Sequence, residues 1–241
     1  LSADLASSLA QKYIADPKVA AVIGPSTSGA VAAVSNALAQ AGLIHVSPSA
    51  TRTSLTKGGN REATNYFFRV VPDDGIQGPS DALFMVNTLK AKKVVVVDSQ
   101  EPYSVGLADA IERTLKAKGV TVQRESVNIN TSDFSPIVTK VPGDADVVFF
   151  GTQQPPKAQT FAQQLIEQGK KAKLFSGDGA NDPDKFKVPG SYVSNFAAPI
   201  NLFPYNKAII AGWQKDNPGA TLGSFGPPTY GAVQVALNAI K

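Results

Sequence analysis

The chemistry open to this sequence rests on hydroxyls, one acid, one phenol and a pair of amides. The segment Val22-Ile23-Gly24-Pro25-Ser26-Thr27-Ser28-Gly29 reads as a strand turning tightly into a helix. Free backbone N–H groups at such a helix start, with the hydroxyls of Ser26, Thr27 and Ser28 beside them, favour a bound anion. The competing reading is that one hydroxyl caps the helix while the others face water. A second hydroxyl turn, Ser47-Pro48-Ser49-Ala50-Thr51, follows the next strand, Leu43 to Val46. Consecutive strands of a parallel sheet usually lie side by side, so both turns should emerge at one carboxyl edge. Two neutral hydroxyl clusters and backbone amides converging there can hold a carboxylate without a buried lysine or arginine.

Three loops of the second half follow strands in the same sense: Ser99 to Ser104 with Tyr103, Gly151 to Pro155 with Gln153 and Gln154, and Gly177 to Asn181 with Asp178. They should line one edge of a second sheet. Asp178, between Gly177 and Gly179, can accept hydrogen bonds from an ammonium, and Tyr103 can cover an apolar group while offering its hydroxyl. An ordinary Gly-Asp-Gly turn and a tyrosine that merely caps a loop are the plainer alternatives.

Several other chemistries are excluded or disfavoured. The 241 residues include no cysteine and one histidine, which removes disulfides, thiolate chemistry and zinc sites of the usual Cys/His kind. His45 falls within a strand and has no identifiable catalytic partner, so a satisfied or partly buried imidazole is expected rather than a catalytic one. Neither hydroxyl turn has the Gly-x-x-x-x-Gly-Lys-Ser/Thr spacing of a phosphate loop or the dinucleotide spacing, and no nucleophile, base and orienting acid stand together. A binding protein with no cofactor and no enzymatic activity is therefore expected. The net charge of +4 would suit nucleic acid only if the cations clustered, but Lys90, Lys92 and Lys93, then Lys116 and Lys118, then Lys170, Lys171 and Lys173 fall at predicted helix ends. No nucleic-acid partner is expected. No apolar run approaches the roughly 20 residues of a membrane span, and the first residues lack the basic start and apolar block of a secretory signal.

The elements that must position these loops alternate. Short β-rich runs read as strands at Val19 to Ile23, Leu43 to Val46, Tyr66 to Val70, Val94 to Asp98, Val120 to Val127, Asp146 to Phe150, Leu174 to Ser176 and Tyr192 to Phe196. Helical spacing of apolar residues runs over Gly29 to Gln40, Gln77 to Leu89, Val105 to Lys118, Pro156 to Gln168 and Tyr205 to Asp216, and also over both ends of the chain, Leu1 to Ala15 and Thr229 to Lys241. The pattern predicts parallel sheets flanked by helices. Val94-Val95-Val96-Val97 is apolar on both faces, as a strand covered by helices on both sides must be. The segments Val71 to Gly75 and Ala197 to Ile200 follow strands and carry prolines, which makes them the expected crossings between two lobes.

These residues resemble a known family. Val22 to Ser28, Ser47 to Thr51, Phe68-Arg69-Val70-Val71-Pro72, Tyr103-Ser104-Val105-Gly106, Asp133-Phe134-Ser135-Pro136, Phe149-Phe150-Gly151 and Thr229-Tyr230-Gly231-Ala232-Val233 stand in the order and spacing of the type I periplasmic solute-binding proteins of branched-chain amino acid ABC transporters. The resemblance implies a two-lobed α/β hinge protein, with residues 1–72 and 198–241 forming the first lobe and 73–197 the second. It implies that Ser26, Ser49, Ala50 and Thr51 hold a ligand carboxylate, that Asp178 meets its ammonium and that Tyr103 forms an aromatic wall. Gln153 stands where several members carry an aromatic residue, so its loop offers amide hydrogen bonds in that place. Further implications are an amino acid or small carboxylate as ligand, an ABC transporter permease as partner, a monomeric state and a periplasmic or cell-surface location. A ligand-sensing receptor ectodomain of the same fold is the alternative. Against the family pattern the chain is expected to lack the opening strand-helix-strand portion, one ligand-wall residue with it, and the closing segment.

Overall fold

The computed structural model describes residues 2–58, 61–220 and 222–241. All eight expected strands form, and they sort into two sheets. In the first, β1 (Ala21–Ile23), β2 (Ile44–Ser47) and β3 (Phe67–Arg69) lie parallel in the order β1-β2-β3. In the second, β4 (Lys93–Asp98), β5 (Thr121–Ser126), β6 (Val147–Phe150), β7 (Lys173–Ser176) and β8 (Tyr192–Val193) lie parallel in the order β5-β4-β6-β7-β8.

The larger sheet owes its solidity to the apolar run on β4. Val94 and Val96 face one helical layer and Val95 and Val97 the other, because successive strand residues point to opposite faces. On the first face α3 (Asp74–Asn87) and α4 (Pro102–Ala117) supply Ala82, Met85, Leu107, Ile111 and Leu115. On the second, α5 (Ser135–Lys140) and α6 (Pro155–Glu167) supply Val138, Phe161 and Leu165 around Phe134 and Phe150. Phe150 and Phe161 stack with ring centroids 4.6 Å apart.

The smaller sheet has α1 (Ala3–Ala15), α2 (Ser28–Gln40) and, from the far end of the sequence, α8 (Gly226–Ile240) packed around it. Its buried apolar residues form two small clusters, Val31 with Ala50, Leu55, Ala63 and Phe67, and Ala10 with Val34 and Leu38. His45 on β2 is fully buried, deeper than the partly buried ring expected, and its Nδ1 has no hydrogen-bond partner among the described residues. Its Nε2 lies 3.3 Å from Ser35 Oγ, its ring packs 5.1 Å from that of Phe67, and burial lowers its pKa.

The chain passes from β3 to α3 at residues 70–73 and returns after β8 through two 3-10 turns and α7 (Lys207–Asp216) to α8. The helix after the first passage starts three residues earlier than the apolar spacing suggests. Asp73 caps it, accepting from the Gly75 amide at 2.8 Å, and so Asp74 lies inside the first turn. Helix α5 is an element the apolar spacing did not predict; with six residues it is too short to show a helical period.

Candidate functional site

Thr27 is the N-cap of α2, its hydroxyl accepting from the Ala30 amide at 3.4 Å. The amides of Ser28 and Gly29 have no hydrogen-bond partner among the described residues, which leaves the first turn of α2 able to accept an anion. The second hydroxyl turn is tied to the first. Ser47 Oγ donates to the Pro25 carbonyl and Ser49 Oγ donates to the Ser26 carbonyl at 2.7 Å, while Ser28 Oγ accepts from the Arg52 amide at 3.2 Å. Both turns follow adjacent parallel strands and leave the sheet at the same edge.

From the larger sheet comes Asp178, 3% exposed, in the 3-10 turn that follows β7. Its Oδ1 accepts from Tyr103 Oη at 2.7 Å and from Gln77 Nε2 at 2.9 Å, and the Gly179 amide donates to Tyr103 Oη at 3.0 Å. Burial pushes the Asp178 carboxyl up, and these donors oppose the shift. Burial likewise raises the Tyr103 phenol well above its ordinary range, with the Asp178 charge adding to the rise. The two glycines flanking Asp178 permit this approach: a Cβ on Gly177 would sit 2.5 Å from Tyr103 Oη, and one on Gly179 would sit 2.6 Å from the Thr152 carbonyl oxygen.

A cavity of about 310 Å³ lies between these two sets of residues, near the lower end of the roughly 300–1,000 Å³ of small-molecule sites. Ser26, Thr27, Ser28 and Ser49 line it from the three-stranded sheet, and Tyr103, Gln153 and Asp178 from the five-stranded one. Ala50 and Thr51 stand behind the wall. The Ala50 methyl packs with Val31, Leu55 and Phe67, its amide donates to Ser47 Oγ, and its carbonyl accepts from Arg69. Thr51 is fully buried, and its carbonyl accepts from the Asp74 amide at 2.8 Å. Pro48, Gly179, Phe225 and Thr229 complete the lining. Phe225 and Thr229 escaped the sequence reading because they sit at the start of α8, whose apolar spacing speaks for packing, and only the return of the chain brings them to the cleft.

A polar network runs on from Asp178. Gln77 Nε2 also reaches Ser194 Oγ at 3.0 Å, and Ser194 Oγ donates to Asp81 Oδ2 at 2.9 Å. Burial pushes Asp81 up to about 8, with the Asp178 charge adding to the rise and the Ser194 hydroxyl opposing it. Asp74, fully buried, is pushed up to about 7 by burial and by the Asp178 charge. Thr51 Oγ1 lies near enough to Asp74 to oppose that shift, yet neither carboxyl oxygen of Asp74 has a partner in hydrogen-bonding geometry among the described residues.

Across the cleft, Arg52 Nη1 donates to the Pro102 carbonyl at 3.1 Å, while Nη2 pairs with Glu62 at 2.9 Å and Nε donates to Ser54 at 2.7 Å. The Pro102 ring also abuts Gly29 of α2, where a Cβ would come within 3.2 Å of it. The first turns of α2 and α4 therefore touch at the rim of the cavity.

The family model for the periplasmic binding proteins matches residues 1–241. The chain belongs to that family. Among its relatives, the Leu/Ile/Val-binding protein BraC3 of Rhizobium johnstonii is 32% identical over 240 residues, covering 97% of this chain and 63% of its own length. An amino acid binding protein of Pseudomonas aeruginosa is 32% identical over 213 residues, covering 85% of this chain and 56% of its own. The chain thus spans less than two thirds of either relative. Among solved structures, the branched-chain amino acid transporter substrate binding protein LivJ of Streptococcus pneumoniae, in complex with isoleucine, superposes with a TM-score of 0.85 at 27% identity, covering all of this chain and 69% of that one. A solute binding protein from R. palustris in complex with 4-hydroxybenzoate superposes at 0.83 with 23% identity and 98% of this chain covered, a likeness of fold. The periplasmic binding protein fold accounts for the two parallel sheets and for a cleft between their carboxyl edges. No helix among the described residues is long and apolar enough to cross a membrane.

Proposed function

We propose that this chain is the extracytoplasmic solute-binding component of an ABC importer, closing over an amino acid or similar small carboxylate and presenting it to a membrane permease. Residues 1–72 and 198–241 make one lobe and 73–197 the other, and the passages between them act as the hinge. The observation that carries this reading is the single cavity shared by the α2 hydroxyl turn and Asp178. An anion-accepting helix start faces a buried acid, and an α-amino acid carries both complementary charges as groups on one carbon.

In this reading Ser26, Thr27 and Ser28 receive the carboxylate together with the free amides of α2, and Ser49 supports them from the second turn. Asp178 Oδ1 already accepts from Tyr103 and Gln77, and its carboxyl receives the ammonium. Ser49 spends its proton on the Ser26 carbonyl, so its part is to fix the turn. The protein acts as a monomer and performs no covalent chemistry; no step beyond binding and release is needed to move a solute. Names of relatives that bind leucine, isoleucine and valine, or an amino acid, support the ligand class.

Titration calorimetry against the common amino acids and small carboxylates tests the proposal. Binding of at least one at micromolar concentration is expected, and no heat from any of them would overturn it.

A further inference from the structure

We propose that Gln153, oriented by Glu101, reads the ligand side chain and selects amino acids whose side chain donates a hydrogen bond. This inference rests on the function proposed above and deepens it to a substrate class.

Once the hydroxyl turns hold the carboxylate and Asp178, riveted by Tyr103, the ammonium, the lining left for the side chain is Pro48, Gln153, Gly179, Phe225 and Thr229. Gln153 is the only one of these five whose side chain carries an amide, and its direction is fixed. Its Nε2 donates to Glu101 Oε2 at 2.9 Å. Glu101 is the N-cap of α4: Oε2 accepts from the Tyr103 amide at 3.1 Å and Oε1 from the Ser104 amide at 2.9 Å. Burial pushes the Glu101 carboxyl up, and the three N–H donors that converge on it, with the Arg52 charge, oppose the shift and favour the charged form. An ionised carboxylate only accepts, so the NH₂ end of Gln153 must face Glu101 and the carbonyl Oε1 must face away from it. Among the described residues Oε1 has no hydrogen-bond partner. The half-buried Gln153 thus offers the cavity a neutral acceptor that an aliphatic side chain would cover without satisfying.

Gln153, Gly179 and Phe225 also line a second, larger cavity of about 720 Å³, where polar residues such as Asn181 and Lys185 stand among apolar ones such as Pro155, Ile200 and Leu222. That mixed space leaves the selection to Gln153 itself. Sites built to hydrogen-bond a ligand group discriminate strongly against analogues that lack it, because the site's own acceptor is then stranded.

Calorimetry with two isosteric pairs of ligands, threonine against valine and asparagine against leucine, provides the test. The donor-bearing member of each pair should bind about tenfold tighter to the unmodified protein. Gln153→Leu should erase or invert that ratio. In Glu101→Gln the fixed acceptor is gone and Gln153 can turn over, so the ratio should shrink several-fold; a purely structural role for Glu101 would weaken both members of a pair equally and leave the ratio standing. A thermal melt of each variant shows that it folds. If valine and leucine bind as tightly as threonine and asparagine, the inference falls while the proposed function stands. If none of the four binds, the inference falls, and if no other amino acid and no small carboxylate binds either, the proposed function falls with it.

Discussion

Tyr103 Oη donates a 2.7 Å hydrogen bond to Asp178 Oδ1 across 75 residues of sequence, and the same oxygen accepts from the Gly179 amide. The phenol therefore serves as a rivet: it partly offsets the cost of burying the carboxylate and fixes the direction in which that carboxylate points.

Removing that one hydroxyl isolates its contribution. Tyr103→Phe keeps the ring against Leu107 and the sheet but deprives Asp178 of a donor. The Asp178 pKa should rise further, and amino acid affinity at neutral pH should fall by roughly 1–2 kcal/mol, about tenfold. Calorimetry at neutral pH checks it, and an unchanged dissociation constant would remove the phenol from the account.

Stability should depend on pH in an unusual direction. Asp74 and Asp81 have folded-state pKa values pushed up to about 7 and about 8 from an ordinary value of 3.8. Between pH 4 and 8 these two acids hold more protons in the folded chain than in the unfolded one, so the stability they contribute is fully present below pH 4 and is lost as pH rises through 7 to 8, against the single opposing His45, whose pKa burial lowers. Each acid contributes at most about 1.4 kcal/mol per pH unit in that window. Thermal melts from pH 5 to 8 should show a falling Tm, and Asp81→Asn should flatten the fall. A Tm that climbs steadily to pH 8 in the unmodified protein would contradict the burial argument.

Arg52 offers a handle on closure. It is about a quarter exposed, so its pair with Glu62 adds little to stability, but its Nη1 bond to the Pro102 carbonyl spans the cleft. Arg52→Met should leave the unfolding free energy within about 1 kcal/mol of the original. Ligand release should become roughly three- to tenfold faster, since interface changes act mainly on dissociation. Stopped-flow displacement measures it; an unaltered off-rate would mean the bridge is incidental to closure.

Legibility in the sequence followed the range of each signal. The eight strands could be read because β-branched runs such as Val94 to Val97 announce themselves locally, and parallel neighbours follow from the alternation with helices. The hydroxyl turns were legible for the same reason: each sits immediately after a strand. Membership in the cavity wall was harder. Thr51 looked like a ligand contact by its turn, yet its backbone bond to Asp74 draws it into the interior. Gln77, Ser194 and Asp81 form one chain of hydrogen bonds only because α3 lies beside the end of β8, a relation of residues more than 100 positions apart. Nothing in the local sequence of Gln77, read there as part of an amphipathic helix, marks it as a partner of Asp178.

The grip proposed for Asp178 and the α2 hydroxyl turn on opposite charges of one small molecule is tested most directly by comparing an amino acid that binds with its des-amino carboxylic acid, on the unmodified protein and on Asp178→Asn. The substitution should cost the amino acid at least tenfold in affinity and leave the weak binding of the des-amino acid nearly unchanged. Equal losses for both ligands, or no loss for either, would contradict it.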